Sequence, residues 1–321
     1  MTNPHVLLGI GFKITSIFLF TIMLTLGKAF SMYPVAQIVF FRSAFALIPL
    51  MIWLLQRGDF PRALRTKRFG GHLLRSIAGI GSMFCIFAAY ALLPLADATA
   101  IGYASPLMIV VLASIFLGER APPLRWAAVC VGFLGVLVML WEHLGQGGAP
   151  GSASHPRSAT GAILMLMAAF LIAIAMIQTR RLTKTEDTGA ITFYFQSTTT
   201  VASGLVLLAA ALWPMGAPGA AQMQAQAWVT PELMHWAPLV LIGLLGGVGQ
   251  IFMTQGYRYA DASVLATFDY SSILFAMAIG FIVFSETPSG AVLLGAAIVI
   301  CAGLTVVWQE SRMAPRSPAA Q

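Results

Sequence analysis

The chain has 321 residues, 59% of them hydrophobic and only 9% charged, with a formal net charge of +7. A soluble globule carries about 25% charged residues, so this composition excludes water as the only solvent. What remains is a membrane protein whose basic surplus needs an explanation.

A helix of about 20 apolar residues, rising about 1.5 Å each, crosses the roughly 30 Å hydrocarbon layer. In chain order the first half offers Val6 to Phe30, Val35 to Leu55, Leu73 to Leu93, Thr99 to Leu117 and Trp126 to Trp141. The first of these begins close to Met1 without a basic leader or a small-residue cleavage site, so it is expected to be a retained helix rather than a signal peptide. A stretch rich in Gly, Ser and Pro follows and reads as a linker. The second half offers Thr160 to Gln178, Ala190 to Trp213, Trp236 to Tyr257, Ala262 to Phe284 and Gly290 to Trp308. The organisation expected is a first unit over 1–141, a linker over 142–159, a second unit over 160–309 and a tail over 310–321.

Lipid offers no partner for backbone N–H and C=O groups, so spans must be helices or strands of a closed barrel. Runs this long and continuously apolar exclude barrel strands. The fold class is therefore an all-α integral membrane protein with ten transmembrane helices.

The two halves repeat one pattern. Ala96-Asp97-Ala98, Tyr103, Glu119 and Trp141 recur as Ala260-Asp261-Ala262, Tyr270, Glu286 and Trp308, and the 16-residue step from Tyr to Glu and the 22-residue step from Glu to Trp are the same in both. Five spans per unit is an odd number, so the second copy enters the membrane upside down. Inverted repeats of this kind characterise secondary transporters, with the substrate site between the copies.

Charge placement supports the inversion. With the N-terminus inside, 14 basic residues fall on cytoplasmic connections: Arg57, Arg62, Arg65, Lys67, Arg68, Arg75, Arg120, Arg125, Arg180, Arg181, Lys184, Arg258, Arg312 and Arg316. Only Lys28 and Arg157 fall outside, while Lys13 and Arg42 lie within spans. This positive-inside bias places both termini in the cytoplasm of an inner-membrane protein. It also accounts for the basic balance without any nucleic acid. Glu119 and Glu286 then lie on opposite faces, too far apart for a catalytic pair; each is expected to cap a helix or bind loop backbone.

Cys85, Cys130 and Cys301 sit in apolar stretches and behave as small hydrophobes. They provide neither a disulfide framework nor a metal spacing, and no cofactor is expected.

Leu93-Pro94-Leu95-Ala96-Asp97-Ala98-Thr99-Ala100, Ser105-Pro106-Leu107 and Leu117-Gly118-Glu119-Arg120 resemble the third and fourth spans of EamA-type transporters, in the drug/metabolite transporter superfamily. Tyr259-Ala260-Asp261-Ala262-Ser263, Phe268-Asp269-Tyr270 and Ser285-Glu286-Thr287-Pro288 resemble the matching segment of the second copy. The resemblance covers nearly the whole chain. It implies two five-helix bundles around a central cavity and a small-molecule substrate such as an amino acid, riboflavin, S-adenosylmethionine or a nucleoside. Leu73-Leu74-Arg75-Ser76 and Phe268-Asp269-Tyr270 look closest to the bacterial branch that holds riboflavin and S-adenosylmethionine carriers. Direction of transport, proton or ion coupling, and monomer or homodimer all stay open.

Several residues can line such a cavity. Gly243, Gly247, Gln250, Thr254 and Tyr257 form one stripe of the eighth span. Its glycines are read as close packing and its Gln250 and Thr254 as lining. Gln196 and Thr200 share a face of the seventh span, although hydroxyls there can instead bond to their own helix. Asp269 lies about 12 Å along its helix from Asp261, too deep for a carboxylate to reach the interface. It is expected to pair with Arg42 or Arg75, and to anchor a substrate cation or exchange a proton; the alternative is a fixed ion pair that holds two helices in register. Lys13 is expected to snorkel to the interface, as is Arg75, whereas Arg42, about seven residues from the extracellular end of its span, is expected to meet a partner or an anionic substrate group. Tyr90 joins the set, and Tyr103 and Tyr270, at equivalent repeat positions, can stack on a planar substrate or simply pack.

The competing class is a membrane-embedded enzyme acting on a lipid or small metabolite. Neither an H-E-x-x-H metal motif, a G-x-S-x-G elbow nor a Gly-rich nucleotide loop is present, and the five His are scattered over loops and span ends. A passive channel would need a continuous pore ring.

Overall fold

The structure of the protein is a computed structural model. It describes residues 4–58, 60–61, 66, 68–117, 123–145, 155–182, 185–213, 221, 223, 225–259, 265 and 268–313. Among these residues every regular element is an α-helix. The first half forms α1 (Pro4–Ala29), α2 (Val35–Gln56), α3 (Phe69–Leu92), α4 (Leu95–Gly102), α5 (Ala104–Leu117) and α6 (Pro123–Gly145). The second forms α7 (His155–Leu182), α8 (Thr188–Leu212), α9 (Leu233–Tyr259), α10 (Ser271–Phe284) and α11 (Gly290–Met313).

Seven helical stretches among the described residues are long and apolar enough to cross a membrane, among them Leu7–Ala29, Val35–Gln56 and Leu233–Gly256. Trp126–Trp141, Ser271–Phe284 and Gly290–Thr305 are apolar but shorter. Large apolar side chains such as Leu134, Leu137, Leu205, Leu208, Leu274 and Ile282 are exposed on the outside of the bundle, as expected where lipid rather than water is the solvent.

Two spans are interrupted where the sequence reading expects them continuous. The fourth span, expected to run unbroken from Thr99, is the pair α4 and α5 with a break at Tyr103. Pro106 explains the break: it has no N–H for the Gly102 carbonyl and its ring crowds that turn. The ninth span, expected from Ala262, is helical at Leu265, Phe268 and Asp269, turns at Tyr270 and resumes as α10 at Ser271. Residues 260–264 and 266–267 lie outside the described residues. The two helices are thus interrupted at the two tyrosines that the repeat had paired.

Helix contacts follow a pattern. The tightest neighbours are α3 with α7, α1 with α9, α6 with α11, α2 with α9, α2 with α8 and α5 with α7. Weaker contacts join α3 with α8, α1 with α10, α4 with α10 and with α7, α6 with α7, and α3 with α1 and with α2.

Glycine permits a close approach between α2 and α9. A Cβ added at Gly243 would collide with the Phe45 side chain and stand 2.6 Å from the Phe41 carbonyl oxygen; at Gly247 it would stand 2.8 Å from that of Ala46. Backbone cannot yield as a flexible side chain can, so the stripe packs helices as its spacing indicated. Gly247→Ala is expected to destabilise by about 1–3 kcal/mol through overpacking. Gly11→Ala, which meets nothing within 4 Å, is expected to leave thermal unfolding of the purified protein unchanged, and equal behaviour of the two variants would refute the packing role.

Candidate functional site

The break at Tyr103 opens a hollow of about 310 Å³ among α1, α3, α4, α5, α7 and the residues preceding α10. Small-molecule sites occupy about 300–1,000 Å³, so the space suits a compact organic solute. Its walls are mostly apolar, with Phe20, Leu24 and Met165 set against the polar groups of Tyr90, Thr99, Tyr103, Asp269 and Ser272.

The polar wall is tied together by hydrogen bonds. The Tyr103 hydroxyl stands 2.7 Å from the Ser272 hydroxyl and also donates to the Asp269 carbonyl. Tyr90 and Thr99 hydroxyls are 2.9 Å apart. The Asp269 carboxylate lies 2.7 Å from the Lys13 ammonium, with the lysine side chain 2% exposed and the aspartate 41%. This corrects two expectations. Asp269 pairs with Lys13 rather than with Arg42 or Arg75, and Lys13 does not snorkel to the interface. The reason is geometric: α1 packs against α9 and α10, which puts the Lys13 stem inside the bundle. The cation turns inward to the acid that lines the hollow, where the pair offsets the desolvation cost of the buried ammonium.

Tyr103 and Tyr270 face each other. Their rings stack at 5.1 Å between centroids and 26° between planes, and the Tyr270 hydroxyl occupies the space that a Cβ on Gly303 would take. Tyr103 therefore lines the hollow while Tyr270 backs it.

A second group of candidates lies elsewhere. Gln196, Gln250 and Thr254 line a hollow of about 10 Å³ with Thr192, Trp53 and Gly247, room for about one water molecule. Arg42 reaches this group through Gln196, whose side-chain oxygen accepts from Arg42 Nη1 at 2.6 Å. Arg75 Nε donates to Thr179 Oγ1 at 2.9 Å, and its guanidinium lies over the Phe195 ring at 4.5 Å. Arg75 is thus held inside the bundle, not snorkelled. Hydroxyls of Thr200 and Thr254 return to carbonyls of their own helices, those of Gln196 and Gln250, at 2.9 Å each. Gln37 bonds both the N–H and the carbonyl of Val229 and so fastens a connection.

One feature was not anticipated from sequence. Glu286 does bind backbone, accepting from the Leu95 N–H at the start of α4 at 2.7 Å, but it also pairs with Lys28. Lys28 donates in turn to the Leu93 carbonyl and lies over the Phe284 ring at 5.2 Å. The ends of α1, α3 and α10 are latched together there. Glu119, the repeat mate of Glu286, lies outside the described residues.

A multi-pass helical bundle with interrupted helices around an internal polar hollow is the architecture of a membrane transporter. The EamA-like transporter family matches residues 7–141 and 159–308, and the chain belongs to that family. It is similar to the pseudopaline exporter CntI of Pseudomonas aeruginosa, 28% identical over 92% of this chain and 94% of that protein. It is likewise similar to a riboflavin transporter of Brucella anthropi, 32% identical over 87% and 89%. An S-adenosylmethionine uptake transporter of Rickettsia prowazekii is 25% identical over 89% and 86%. The protein is a small-metabolite transporter and not an enzyme.

Proposed function

We propose that the protein is a secondary transporter of the inner membrane, with both termini cytoplasmic, that moves a small organic metabolite by alternating access. In this reading ten helices cross the membrane as two inverted five-helix repeats, one in residues 1–141 and one in 160–309. The observation that carries it is how the helix contacts behave when the halves are exchanged. Under that exchange α3 with α7 becomes α9 with α1, α2 with α9 becomes α8 with α3, and α5 with α7 becomes α10 with α1; α2 with α8 and α6 with α11 map onto themselves. An approximate two-fold axis relating the halves predicts this pattern. With five spans per half, that axis must lie in the membrane plane, which supports inversion together with the placement of basic residues.

Substrate occupies the hollow beside Tyr103 and Asp269. Tyr90 and Tyr103 orient it, and Asp269 anchors a substrate cation or exchanges a proton. Gln196, Thr200, Gln250, Thr254 and Arg42 serve as the site expands in the other conformer, with Tyr270 supporting Tyr103. Because relatives handle riboflavin, S-adenosylmethionine and pseudopaline, the cargo is a polar organic metabolite of that size range. Rocking of the two bundles about the midplane exposes it to either side, and the gradient of substrate or a coupled ion sets the direction.

The test is expression in a cell lacking close relatives, with untargeted mass spectrometry of cell contents and medium. Enrichment of one compound in the medium with depletion inside is expected for an exporter, and the reverse for an importer. A metabolite chemically altered with nothing redistributed would overturn the reading.

A further inference from the structure

Outside the hollow that holds Asp269, two arginines lie in the bundle with no acid beside them among the described residues. Arg42 in α2 is 5% exposed. Its described contacts are the bond to Gln196 and the electrostatic repulsion of Arg75, and its Nε has no hydrogen-bond partner. Arg75 in α3 is engaged by Thr179 and the Phe195 ring, and its Nη1 is also left without a partner. The ion pairs among the described residues go elsewhere, from Lys13 to Asp269, from Lys28 to Glu286, and between His72 and Glu186.

Two like charges in one low-dielectric interior, each with an unused N–H, are unfavourable three times over: they are desolvated, they repel, and they leave donors unsatisfied. Holding helices in register does not require this. A neutral amide at either position would bond Gln196 or Thr179 without placing a charge in the membrane. What the pair offers is a concentration of planar N–H forks, whose geometry matches a carboxylate or phosphate bidentately. One oxyanion between them would replace the repulsion by attraction and use the idle donors. Gln196 joins Arg42 to the small hollow shared with Gln250 and Thr254, so an anion held there also meets neutral polar groups able to read the rest of a molecule.

We propose that Arg42 and Arg75 form an anion site for a carboxylate or phosphate group of the transported solute, shut in this conformer and opened as the bundles move. The proposal deepens the alternating-access reading and rests on it for the opening. It assigns the second cluster of polar residues to recognition of an acidic group, separate from the Tyr103 and Asp269 hollow.

The probes are inorganic phosphate and citrate, titrated at constant ionic strength against chloride into the purified protein in lipid nanodiscs while thermal unfolding is followed. For wild type the expected result is a saturable rise of the melting midpoint by several degrees with at least one probe, since a ligand that binds only the folded state stabilises it. Arg42→Gln and Arg75→Gln are each expected to abolish the rise. Without any anion each is expected to melt no lower than wild type, because an unpaired buried charge has been removed. Should a glutamine variant fail to fold, Arg42→Lys and Arg75→Lys keep the charge but lose the fork, and are expected to weaken the half-saturating concentration about tenfold. No saturable rise in wild type, or an equal rise in the variants, overturns the proposal. Counterflow of riboflavin and S-adenosylmethionine into proteoliposomes separates the two readings. Because S-adenosylmethionine carries a carboxylate and riboflavin carries no acidic group, S-adenosylmethionine counterflow unchanged in Arg42→Gln overturns the anion site and leaves the transport reading standing. A saturable anion effect that the arginine variants abolish supports the site even where neither compound moves.

Discussion

Replacing Asp269 with Asn is expected to reduce transport at least tenfold in proteoliposome counterflow while the protein still folds. Among the described residues Asp269 is the one acidic side chain lining the 310 Å³ hollow, and its carboxylate is exposed enough to meet both solute and Lys13. The variant leaves the Lys13 ammonium buried opposite a neutral amide. Breaking a fully buried pair costs roughly 3–5 kcal/mol; water in the hollow lowers that figure on the aspartate side, so destabilisation without unfolding is expected. The double variant Lys13→Met with Asp269→Asn separates the two roles of the pair. It removes both charges and is expected to recover the stability lost by Asp269→Asn, because neither ion is left uncompensated, yet it should remain inactive. A double variant that transports like wild type would show that the pair only holds α1 against the residues preceding α10. Counterflow across a pH series refines the role: a rate in Asp269→Asn that is residual but no longer varies with pH identifies proton exchange, whereas complete loss at every pH identifies an anchoring carboxylate.

The error over the partner of Asp269 shows where sequence reading ends. Depth along a helix can be counted from residue numbers, and that count puts Asp269 away from the interface. Which helix faces it cannot be counted. Arg42 was the conspicuous buried cation, while Lys13 and Arg75 have stems long enough to reach water and were assigned the cheaper solution. Contacts of α1 with α9 and α10 decide the matter, and they involve residues far apart in the chain. The glycine stripe was legible for the opposite reason, since spacing on a single helix suffices to place Gly243 and Gly247 on one face.

Symmetry could have carried the reading further. Tyr103 and Tyr270 were recognised as repeat mates, and mates close to a two-fold axis must approach each other. Their mutual stacking therefore follows from the repeat as readily as a stack on substrate does, and the helix breaks at both positions bring them together. The distribution of polar groups between a large and a small hollow was not accessible in this way. It depends on how far each glycine lets α2 approach α9, and so on side-chain volumes summed over several helices.

The latch between Lys28 and Glu286 leads to the second large expected effect. Glu286→Gln should open the end of the bundle where α1, α3 and α10 finish, read as a rise of about tenfold or more in labelling of a cysteine placed at Leu24 in the hollow. The background has Cys85, Cys130 and Cys301 replaced by Ser, and a membrane-impermeant thiol reagent is added to intact cells. Glu286 accepts the Leu95 N–H and pairs with Lys28, which in turn bonds the Leu93 carbonyl. One carboxylate thus joins the C-terminal end of α1, the turn from α3 to α4 and the end of α10. Charged hydrogen bonds are worth about 1.5–3 kcal/mol each, and tenfold in an equilibrium corresponds to about 1.4 kcal/mol, so losing one such bond suffices to shift the balance between closed and open forms. Gln can still accept the Leu95 N–H, so the change isolates the ion pair from the backbone bond. Glu286→Ala removes both and should label faster still. If the latch holds one end of a two-state transporter, the same variants bias the cycle as well as the ground state: counterflow should fall, because a carrier that cannot close one end cannot complete the exchange. Labelling equal to that of the parent in both variants would mean that apolar packing alone closes this end, with Lys28 and Glu286 serving only to satisfy each other.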